Sequence, residues 1–450
     1  MDSSLQFGKS SLDLPASQSA FRNPKSASSP LRKICVIGLG YIGLPTAAVL
    51  ATHGYSVVGV DVKQSAVDTV NNGDTHIEEP GLQTLVQATY KSANLRAQSS
   101  PEAADVFIIA VPTPLRDKRA DLTAVESAAE SIVPVLTRGN LVILESTVPP
   151  TTTEELVSPI LEQSGLKAGK DFYLAHCPER VLPGNILREI IENDRIIGGI
   201  TLESAQRAEE LYSSFVSGKI FLTDSTTAEL AKVMENTYRD VNIALANELA
   251  NVCEGLKVDV WEVIELANKH PRVGILRPGP GVGGHCLAVD PWFVVQEAPE
   301  AAKLIRLSRE INDSQPQFVV SMIEEMVKGI SKPKVTVLGV AYKGNVDDTR
   351  ESPAIAIIEM FQERGYDLGI YDPHVKRFKY EISGLEEAFT GSNCAVLVTD
   401  HDEFKCFAPE KLGALMRTKQ ILDTRRCLDL ERWKAAGFEV RLLGSGKYWQ

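Results

Sequence analysis

The sequence predicts an α/β protein in which two doubly wound α/β domains are joined by a long helical segment. Short β-branched apolar runs alternate with amphipathic stretches between residues 33 and 215, and a second series of the same kind begins at Lys334. Buried strands that alternate with helices are typical of parallel, doubly wound sheets. Between the two series, residues 226–254 contain neither Gly nor Pro, so we expect one helix of about 44 Å at 1.5 Å per residue.

The first series predicts six strands, with helices over 122–136 and 202–215 between some of them. The strands are expected at residues 33–37, 56–60, 105–110, 141–144, 172–175 and 195–198. The second series predicts a helix over 352–364 and four strands, at 334–338, 367–371, 395–398 and 420–422. The two series share a βαβ rhythm, but no sequence repeat is evident.

The long helix is predicted to have one apolar side and one polar side. At about 100° per residue, the apolar side carries Leu230, Met234, Val241, Leu245 and Val252. The opposite side carries Lys232, Asn236 and Arg239. A polar side is by itself typical of a solvated helix face, and it indicates a site only if other reactive residues lie beside it. Both sides need packing partners if the helix lies inside the protein.

Composition disfavours several function classes. The 450 residues contain 47 Lys and Arg against 59 Asp and Glu, a net charge of −12, which disfavours binding to nucleic acid or to an anionic membrane. The seven cysteines are scattered without a CxxC pair, which argues against a disulfide framework and a structural zinc site and favours the cytoplasm. Residues 34–60 lack charged side chains but contain five glycines, so we interpret them as strand, turn, helix and strand and not as a membrane helix.

These patterns divide the chain into four parts. Residues 1–30 contain nine serines and three prolines with little periodicity, which is typical of a disordered tail. The first α/β domain is expected over 31–222, the central helical domain over 223–329 and the second α/β domain over 330–450.

A glycine-rich turn indicates that the first domain is Rossmann-like. Residues 38–43 read Gly-Leu-Gly-Tyr-Ile-Gly between a strand and a helix. Gly38 permits the tight turn, Gly40 lets a pyrophosphate approach the backbone, and Gly43 lets helix and strand pack closely. Asp61 ends the next strand, where a carboxylate binds both ribose hydroxyls and repels a 2′-phosphate, so NAD is favoured over NADP. The alternative is a Rossmann-like turn that binds nothing.

A second glycine-rich segment precedes one cysteine. Residues 279–286 contain four glycines and end in His-Cys, with Asp290 shortly after. A loop without side-chain bulk lets a substrate approach the sulfur of Cys286, and a thiolate in a positive or polar setting is a nucleophile. Most cysteines fill small buried spaces, and we interpret five others in that way: Cys35, Cys253, Cys394, Cys406 and Cys427. Cys177 remains a less favoured candidate nucleophile.

Charged residues also occupy the first turn of the second α/β domain. Residues 342–353 follow its first strand and contain Lys343 and Arg350. Ligands bind at such turns in doubly wound sheets, where these cations meet phosphate or carboxylate groups. Ser352 and Pro353 are an N-cap and an N1 residue, so part of the segment is structural.

Residues 31–450 resemble the nucleotide-sugar 6-dehydrogenases, the UDP-glucose/GDP-mannose dehydrogenase family. The landmarks that carry the resemblance are residues 38–43, 111–114, 146–149, 178–179, 232–236 and 283–286 with Asp290, Lys343 and Arg350. Within the family the chain looks most like the members that act on UDP-N-acetyl-D-mannosamine, because of residues 178–184, 270–272 and 279–293. His285, Arg180, Val181 and Pro183 depart from the pattern of the members that act on UDP-glucose.

The resemblance implies an NAD-dependent oxidation by four electrons, which converts the C6 hydroxymethyl of UDP-N-acetyl-D-mannosamine to a carboxylate. The aldehyde formed first would be captured by Cys286 as a thiohemiacetal, oxidised to a thioester and hydrolysed. It also implies an NAD domain and a sugar-nucleotide domain joined by a helical segment that forms a homodimer. The alternatives are another nucleotide sugar (UDP-N-acetylglucosamine or UDP-glucose), a two-electron β-hydroxyacid dehydrogenase, and a non-catalytic binding protein.

The resemblance also implies a role for each matching residue. Lys232 would move the proton and stabilise the oxyanion, and Asn236 would help to hold that oxygen or an ordered water. Asp290 would position water and Lys232, and Glu179 would be the base in thioester hydrolysis. The sugar-nucleotide pocket would be lined by Lys232, Asn236, Arg180, Val181, Arg239, His270, Arg272, Gly274, Tyr342 and Lys343, with Arg272 reaching in from a second subunit. NAD would be bound by Gly38, Gly40, Tyr41, Ile42, Gly43, Asp61, Thr113, Thr147 and Arg350. No metal is expected.

Overall fold

The computed structural model describes residues 32–446, so the predicted tail at 1–30 lies outside the described residues. The first α/β domain is built from the following strands and helices: β1 (Lys33–Ile37), α1 (Gly43–Thr52), β2 (Ser56–Val60), α2 (Gln64–Asn71), α3 (Leu82–Lys91), β3 (Leu95–Gln98), β4 (Val106–Ile109), β5 (Leu115–Arg116), β6 (Arg119–Ala120), α4 (Thr123–Ile132), β7 (Leu141–Leu144), α5 (Ser158–Leu161), β8 (Tyr173–His176), α6 (Ile186–Glu192), β9 (Arg195–Gly199), α7 (Leu202–Tyr212) and β10 (Ile220–Asp224).

Eight of these strands form one sheet in the order β10-β9-β8-β7-β4-β1-β2-β3. Six neighbouring strands of this sheet are parallel, as predicted: β8, β7, β4, β1, β2 and β3. β9 runs antiparallel to β8, with Ala175 opposite Gly199, and β10 is parallel to β9. The prediction of a fully parallel sheet is therefore wrong for the last two strands. The chain turns back at the carboxyl end of β8, and this places Arg195 beside the residues that follow β8.

The sheet is buried on both faces. Helices α1, α3 and α7 cover one face with Leu50, Val86 and Leu211, and α4 and α5 cover the other with Val125 and Leu161. β3 and β10 were absent from the prediction. Both lie at the edges of the sheet and are partly exposed. β3 lacks a continuous apolar run, whereas the run Ile220–Leu222 of β10 was not assigned to a strand.

The small hairpin β5–β6 joins this domain to the central helices. Leu115 and Ala120 pack against a cluster that contains Trp292 and Phe293. The N–H of Ala120 donates to Gln296 Oε1 at 2.9 Å, and the Lys118 ammonium lies 4.6 Å from the Trp292 ring centroid. The hairpin thus fixes one side of the first domain to the centre of the molecule.

The central part consists of α8 (Ser225–Leu256), α9 (Val260–Ala267), α10 (Asp290–Glu297) and α11 (Lys303–Met326). The predicted long helix is confirmed. α8 begins after Asp224, whose carboxylate accepts a hydrogen bond from the Thr227 N–H at 2.8 Å. It is followed by Lys257, whose φ of +58° ends the helix. The apolar side chains predicted on one side are largely solvent-exposed in a single chain, for example Leu245 at 51% and Val252 at 48%.

Residues 334–442 form the second α/β domain: β11 (Lys334–Leu338), α12 (Pro353–Glu363), β12 (Asp367–Tyr371), α13 (Leu385–Phe389), β13 (Cys394–Leu397), α14 (Asp402–Lys405), α15 (Pro409–Gly413), β14 (Gln420–Asp423), α16 (Leu430–Ala435) and β15 (Glu439–Leu442). Its strands are all parallel, in the order β12-β11-β13-β14-β15. The four predicted strands are present, and the additional strand β15 lies at an edge.

The two α/β domains repeat one turn geometry that the sequence did not reveal. Gly38 (φ +94°) and Gly339 (φ +86°) each follow the first strand, and each N–H donates to the last residue of the second strand at 2.8 Å. The acid after that second strand then accepts from the backbone of the turn: Asp61 from Leu39 at 3.0 Å and Asp372 from Val340 at 2.7 Å.

Residues 34–60 form β1, α1 and β2, as the glycines predicted. Across residues 32–446, none of the helices has both the length and the hydropathy that a bilayer crossing requires.

Candidate active site

Cys286 lies in the turn that opens α10. Its carbonyl accepts a hydrogen bond from the N–H of Asp290 at 2.9 Å, so the turn fixes the half-buried cysteine near the carboxyl group of Asp290. Burial and that carboxylate raise the pKa of the Cys286 thiol, while the nearby charges of Lys232, Arg239 and Arg350 lower it. Since the net shift is upward, the resting protein holds a protonated thiol whose surrounding cations favour its ionisation.

The glycines before Cys286 make room for the second α/β domain. A Cβ on Gly283 would lie 2.6 Å from the carbonyl oxygen of Glu351, and one on Gly284 would lie 2.9 Å from the Tyr342 ring. The N–H of Gly284 also donates to the Arg350 carbonyl at 3.0 Å. The sequence suggested that these glycines give a substrate access to sulfur. The structure adds a packing reason, since no side chain fits between this loop and the segment that contains Tyr342.

The polar side of α8 is buried, so the alternative of a solvated face is wrong for Lys232 and Asn236. They are 8% and 4% exposed. Asn236 Nδ2 donates to Asp290 Oδ2 at 2.6 Å, and Lys232 Nζ lies 3.5 Å from the same oxygen. Burial raises the pKa of Asp290, against the lowering effect of Lys232 and of the Asn236 hydrogen bond. Arg239 stays exposed and donates to Asn236 Oδ1.

The turn at residues 38–43 has the geometry that a dinucleotide requires. A Cβ on Gly43 would lie 1.8 Å from the Gly38 carbonyl oxygen, whereas one on Gly40 would meet no atom within 4 Å. Gly43 is thus required by packing, while the backbone at Gly40 faces open space where phosphates can approach. Asp61 Oδ1 accepts from Lys63 N–H at 2.8 Å, which together with its bond to the turn orients this carboxylate.

Further predicted NAD residues lie around this turn. Thr113 Oγ1 donates to the Thr147 carbonyl at 2.6 Å, which ties two loops at the carboxyl edge of the sheet. Tyr41 is 46% exposed. Arg350 pairs with Asp348 at 2.6 Å, and its charge acts on both Tyr41 and Cys286. The second α/β domain therefore contributes a guanidinium within electrostatic range of both Tyr41 and Cys286.

Glu179 is buried in an ion pair. Its Oε2 accepts from Arg195 Nη2 at 2.8 Å, and its Oε1 accepts from the Arg180 N–H at 2.8 Å. The Arg180 side chain pairs with Glu235 of α8 at 2.5 Å, and Val181 packs against the core of the first domain. The loop after β8 is thus held against α8 through charges.

Of the remaining predicted substrate residues, His270, Arg272 and Lys343 are exposed and Gly274 is partly buried. His270, Arg272 and Gly274 belong to the loop after α9, which is closed by a hydrogen bond from Ile275 N–H to Asn268 Oδ1 at 2.8 Å. His270 and Arg272 point to solvent in a single chain, as Lys343 does. The structure thus brings Cys286, Lys232, Asn236, Asp290, Arg239, Tyr342 and Arg350 together, and it leaves the loop at 268–275 outside this cluster.

Family models match the three parts of the chain in order. The NAD binding domain of the UDP-glucose/GDP-mannose dehydrogenase family matches residues 32–216, its central domain matches 226–314, and its UDP binding domain matches 336–430. The chain belongs to this family. The recognition made from the motifs is therefore confirmed, together with the α/β fold class.

Family members of similar length are closely similar to the chain. UDP-N-acetyl-D-mannosamine dehydrogenase of Methanococcus maripaludis is 52% identical, over 94% of this chain and 100% of the relative. NDP-N-acetyl-D-galactosaminuronic acid dehydrogenase of Ralstonia solanacearum is 47% identical, over 90% of this chain and 98% of the relative. The solved UDP-D-ManNAc dehydrogenase of Pyrococcus horikoshii superposes with a TM-score of 0.86 at 44% identity, covering 92% of this chain and 99% of that one.

Two residues beside the glycine loop were missed in the sequence. Arg425 follows β14 and approaches the glycine loop, where its Nη1 would lie 2.7 Å from a Cβ on Gly279; its Nε donates to the Val398 carbonyl at 3.0 Å. Asn247 of α8 accepts from the Gly279 N–H at 2.8 Å. A cation directly after a strand of the second domain is the one signal that could have indicated Arg425, whereas nothing in the pattern distinguishes Asn247.

Proposed function

We propose that the protein is an NAD-dependent dehydrogenase that oxidises the C6 hydroxymethyl of UDP-N-acetyl-D-mannosamine to UDP-N-acetyl-D-mannosaminuronate. The observation that carries the proposal is the meeting of Cys286, Lys232, Asn236 and Asp290, which come from two distant segments of the chain. The sugar is proposed from the names of the relatives from Methanococcus and Pyrococcus.

The residues around the turn at 38–43 fit NAD. The backbone at Gly40 is open to phosphates, and the Asp61 carboxylate lies where it can accept from ribose hydroxyls. Bound NAD supplies the hydride acceptor for both oxidations. Thr113, Thr147, Tyr41, Ile42 and Arg350 complete the proposed contacts with it.

In the first oxidation, Lys232 and Asn236 act on the C6 oxygen. Lys232, after it has released its own proton to solvent, accepts the hydroxyl proton as C6 gives up a hydride, and the Asn236 amide stabilises the charge that develops on oxygen. Asp290 holds both groups, since one carboxylate oxygen lies within 3.5 Å of Lys232 Nζ and 2.6 Å of Asn236 Nδ2.

In the second oxidation, Cys286 holds the aldehyde. The Cys286 thiol releases its proton to solvent and the thiolate adds to C6, which forms a C–S bond. The carbonyl oxygen takes a proton from Lys232 to give a thiohemiacetal. That proton returns to Lys232 as C6 gives up a second hydride, which leaves a thioester. Water then adds to the acyl carbon with Glu179 as base, the C–S bond breaks, and Cys286 regains its thiol. Two NADH form for each acid.

Substrate binding is proposed for residues of all three parts of the chain. Arg180, Val181, Arg239, Tyr342 and Lys343 would contact the sugar nucleotide within one chain. His270, Arg272 and Gly274 would act from the loop after α9, which suits a contribution from a second subunit because this loop is exposed.

A homodimer is part of the proposal. The exposed apolar side of α8 supports it, since large side chains rarely form a solvent-exposed stripe of this length. The stripe consists of Leu230, Met234, Tyr238, Leu245 and Val252. We retain the divisions at 222/223 and 329/330, supported by the matched family domains.

The proposal places the enzyme in the cytoplasm and includes no metal, nucleic acid or membrane partner. All seven cysteines are unpaired, which supports a reducing compartment. Within residues 32–446, His374, His401 and Glu403 form one group with metal-ligand chemistry. The His401 ring nitrogens are already engaged with Asp372 and the Asn345 N–H, which argues against that use.

A panel of UDP-sugars with NAD tests the proposal. We expect acid formation from UDP-N-acetyl-D-mannosamine with two NADH per sugar. Preference for another UDP-N-acetylhexosamine, as the Ralstonia relative suggests, or for UDP-glucose would overturn the sugar assignment alone. One NADH per turnover without acid would indicate a two-electron dehydrogenase, and tight binding without turnover would indicate a binding protein.

A further inference from the structure

A buried polar cluster lies beneath the loop that carries Glu179. It consists of Thr46, Glu145, Cys177, Glu179, Arg195 and Tyr212, all of them buried. Thr46 comes from α1, Glu145 follows β7, Cys177 and Glu179 follow β8, Arg195 opens β9 and Tyr212 ends α7. We call this set the Arg195 cluster. It connects the helix behind the dinucleotide turn with the proposed base.

The Arg195 cluster contains two carboxyl groups and one guanidinium. Arg195 Nη2 binds Glu179 Oε2 at 2.8 Å, and the guanidinium carbon lies 4.9 Å from the Tyr212 ring centroid. Glu145 is held by neutral groups instead, because Tyr212 donates to its Oε1 at 2.7 Å and Thr46 Oγ1 lies 3.4 Å from its Oε2. The one guanidinium of the cluster is thus committed to Glu179.

Burial raises the pKa values of Cys177, Tyr212 and Glu145 in the Arg195 cluster. Burial raises the pKa of Cys177 to about 12 and that of Tyr212 well above its usual range. Burial also raises the pKa of Glu145 to about 7, and the Glu179 carboxylate adds to the rise. A buried carboxyl with hydroxyl partners alone is more stable with its proton, so Glu145 is the group here that titrates at neutral pH.

One hydrogen-bond donor of the Arg195 guanidinium, the Nε–H group, is not used. Its Nη groups bind Glu179, the Ile190 carbonyl and the Cys177 sulfur. Its buried Nε has no hydrogen-bond partner among the described residues. An ionised Glu145 would attract this guanidinium, since a buried unpaired carboxylate is costly.

We propose that Glu145 is a positioning residue for Glu179: with a proton on Glu145, Arg195 pairs with Glu179 alone and fixes its orientation, and without that proton two carboxylates compete for one guanidinium. The inference rests on the proposed role of Glu179 in thioester hydrolysis. It predicts that hydrolysis, and not the first oxidation, depends on the protonation of Glu145.

The test is the pH dependence of thioester hydrolysis in the full-length protein. With enzyme in excess over UDP-N-acetyl-D-mannosamine and with NAD, the adduct on Cys286 is followed by mass spectrometry. We expect an inflection of the hydrolysis rate near pH 7 in the parent. Glu145→Gln, which keeps the shape and remains neutral, should abolish it with KM changed less than about twofold. An unchanged inflection in Glu145→Gln would overturn the proposal.

Two further variants separate this role from a structural one. Tyr212→Phe keeps the ring under Arg195 but removes a hydrogen bond to the ionised form of Glu145, so the inflection should move to higher pH. Glu229 of α8 is a matched control, because burial raises its pKa to about 7 as well. Its carboxylate accepts a hydrogen bond from Thr153 and does not belong to the Arg195 cluster. Glu229→Gln should keep the inflection; its loss there would overturn the assignment to Glu145.

A spectroscopic readout keeps the inference distinct from the proposed function. Infrared difference spectra across pH 6 to 8 should show a protonated carboxyl that is present in the parent and absent in Glu145→Gln. If no UDP-sugar is oxidised, the proposed function fails while this signal still tests the proton on Glu145. If oxidation proceeds and the signal is identical in both proteins, the inference fails alone.

Discussion

Asn236 Nδ2 lies 2.6 Å from Asp290 Oδ2, and this hydrogen bond joins the middle of α8 to the first turn of α10. The two residues are separated by 54 positions in sequence, and no periodicity relates them. Their contact brings Lys232 into the vicinity of Cys286, and it turns a polar helix side into a site. The predictions below test what this arrangement does.

Cys286→Ala should abolish acid formation by a factor on the order of a thousand or more, since the covalent nucleophile is lost. NAD binding should remain, because Asp61 and the turn at 38–43 are separate from the sulfur. Product acid measured by mass spectrometry and NAD affinity measured by calorimetry check this. Cys406→Ala is the control, because Cys406 is exposed and outside the cluster. Acid formation by Cys286→Ala at a near-parent rate would contradict the covalent scheme.

Asp290→Asn should make the Cys286 thiol react faster at neutral pH. The Asp290 carboxylate raises the pKa of Cys286, so replacing it with a neutral amide lowers that pKa and increases the thiolate fraction below it. The rate of iodoacetamide alkylation at Cys286 is measured by peptide mass spectrometry between pH 6 and 9. The pH profile of this rate should shift to lower pH in the variant.

The same samples contain a control for this shift. Cys406 should be alkylated at equal rates in the parent and in Asp290→Asn, since it is exposed and follows α14 in the second α/β domain. Slower or unchanged alkylation of Cys286 in the variant would show that Asp290 does not act on the sulfur through its charge. Turnover should fall at the same time, because Lys232 and Asn236 lose the oxygen that holds them.

Asn247→Ala should lower stability and turnover together. Asn247 Oδ1 accepts from Gly279 N–H at 2.8 Å, and its Nδ2 donates to Asn312 Oδ1 at 2.8 Å, so its loss leaves two buried groups unsatisfied. We expect a loss of about 1–3 kcal/mol in the free energy of unfolding, measured by urea denaturation. Glu248→Ala, at the adjacent exposed position of α8, should change it by less than about 0.5 kcal/mol. Equal effects of the two variants would contradict this role.

Leu245→Arg should convert the proposed dimer to a monomer. The side chain is 51% exposed at the centre of the apolar stripe of α8, and a charge there would be costly to bury between two subunits. Sedimentation velocity gives the mass of each species. Leu202→Arg, at an exposed apolar residue of the first domain, should leave the mass unchanged. A parent protein that is monomeric at micromolar concentration would refute the dimer itself.

Local patterns in the sequence predicted the elements that depend on local physics. β1, β2, β11 and β12 begin and end at the predicted residues. β1, β2 and β11 are buried after their first residue, and β12 buries Gly369 and Ile370. The sequence of β3 (Leu-Arg-Ala-Gln) alternates buried and exposed residues and carries no such run. The reversal at β9 was equally hidden, since the direction of a strand depends on where its connection packs.

The site divides in the same way. The turn at 38–43 and Cys286 were found from glycines, whose spacing reports a backbone requirement. The burial of Lys232 was not predictable, because a polar stripe on a helix reads the same whether water or Asp290 lies beside it. Glu145 directly follows the predicted strand at 141–144 and was not singled out. Its proposed role depends on Arg195, which only the antiparallel turn after β8 brings close.

The hairpin β5–β6 fixes the first domain to α10 through packing and a hydrogen bond. An enzyme that uses two NAD molecules for each sugar must release one reduced dinucleotide and admit another while the aldehyde stays on sulfur. Because the hairpin holds one side of the first domain, the spent dinucleotide would leave by a side that the hairpin does not hold. Exchange of the dinucleotide would then separate the two α/β domains without displacing Lys232, Asn236 and Asp290 around the intermediate that is bound to sulfur.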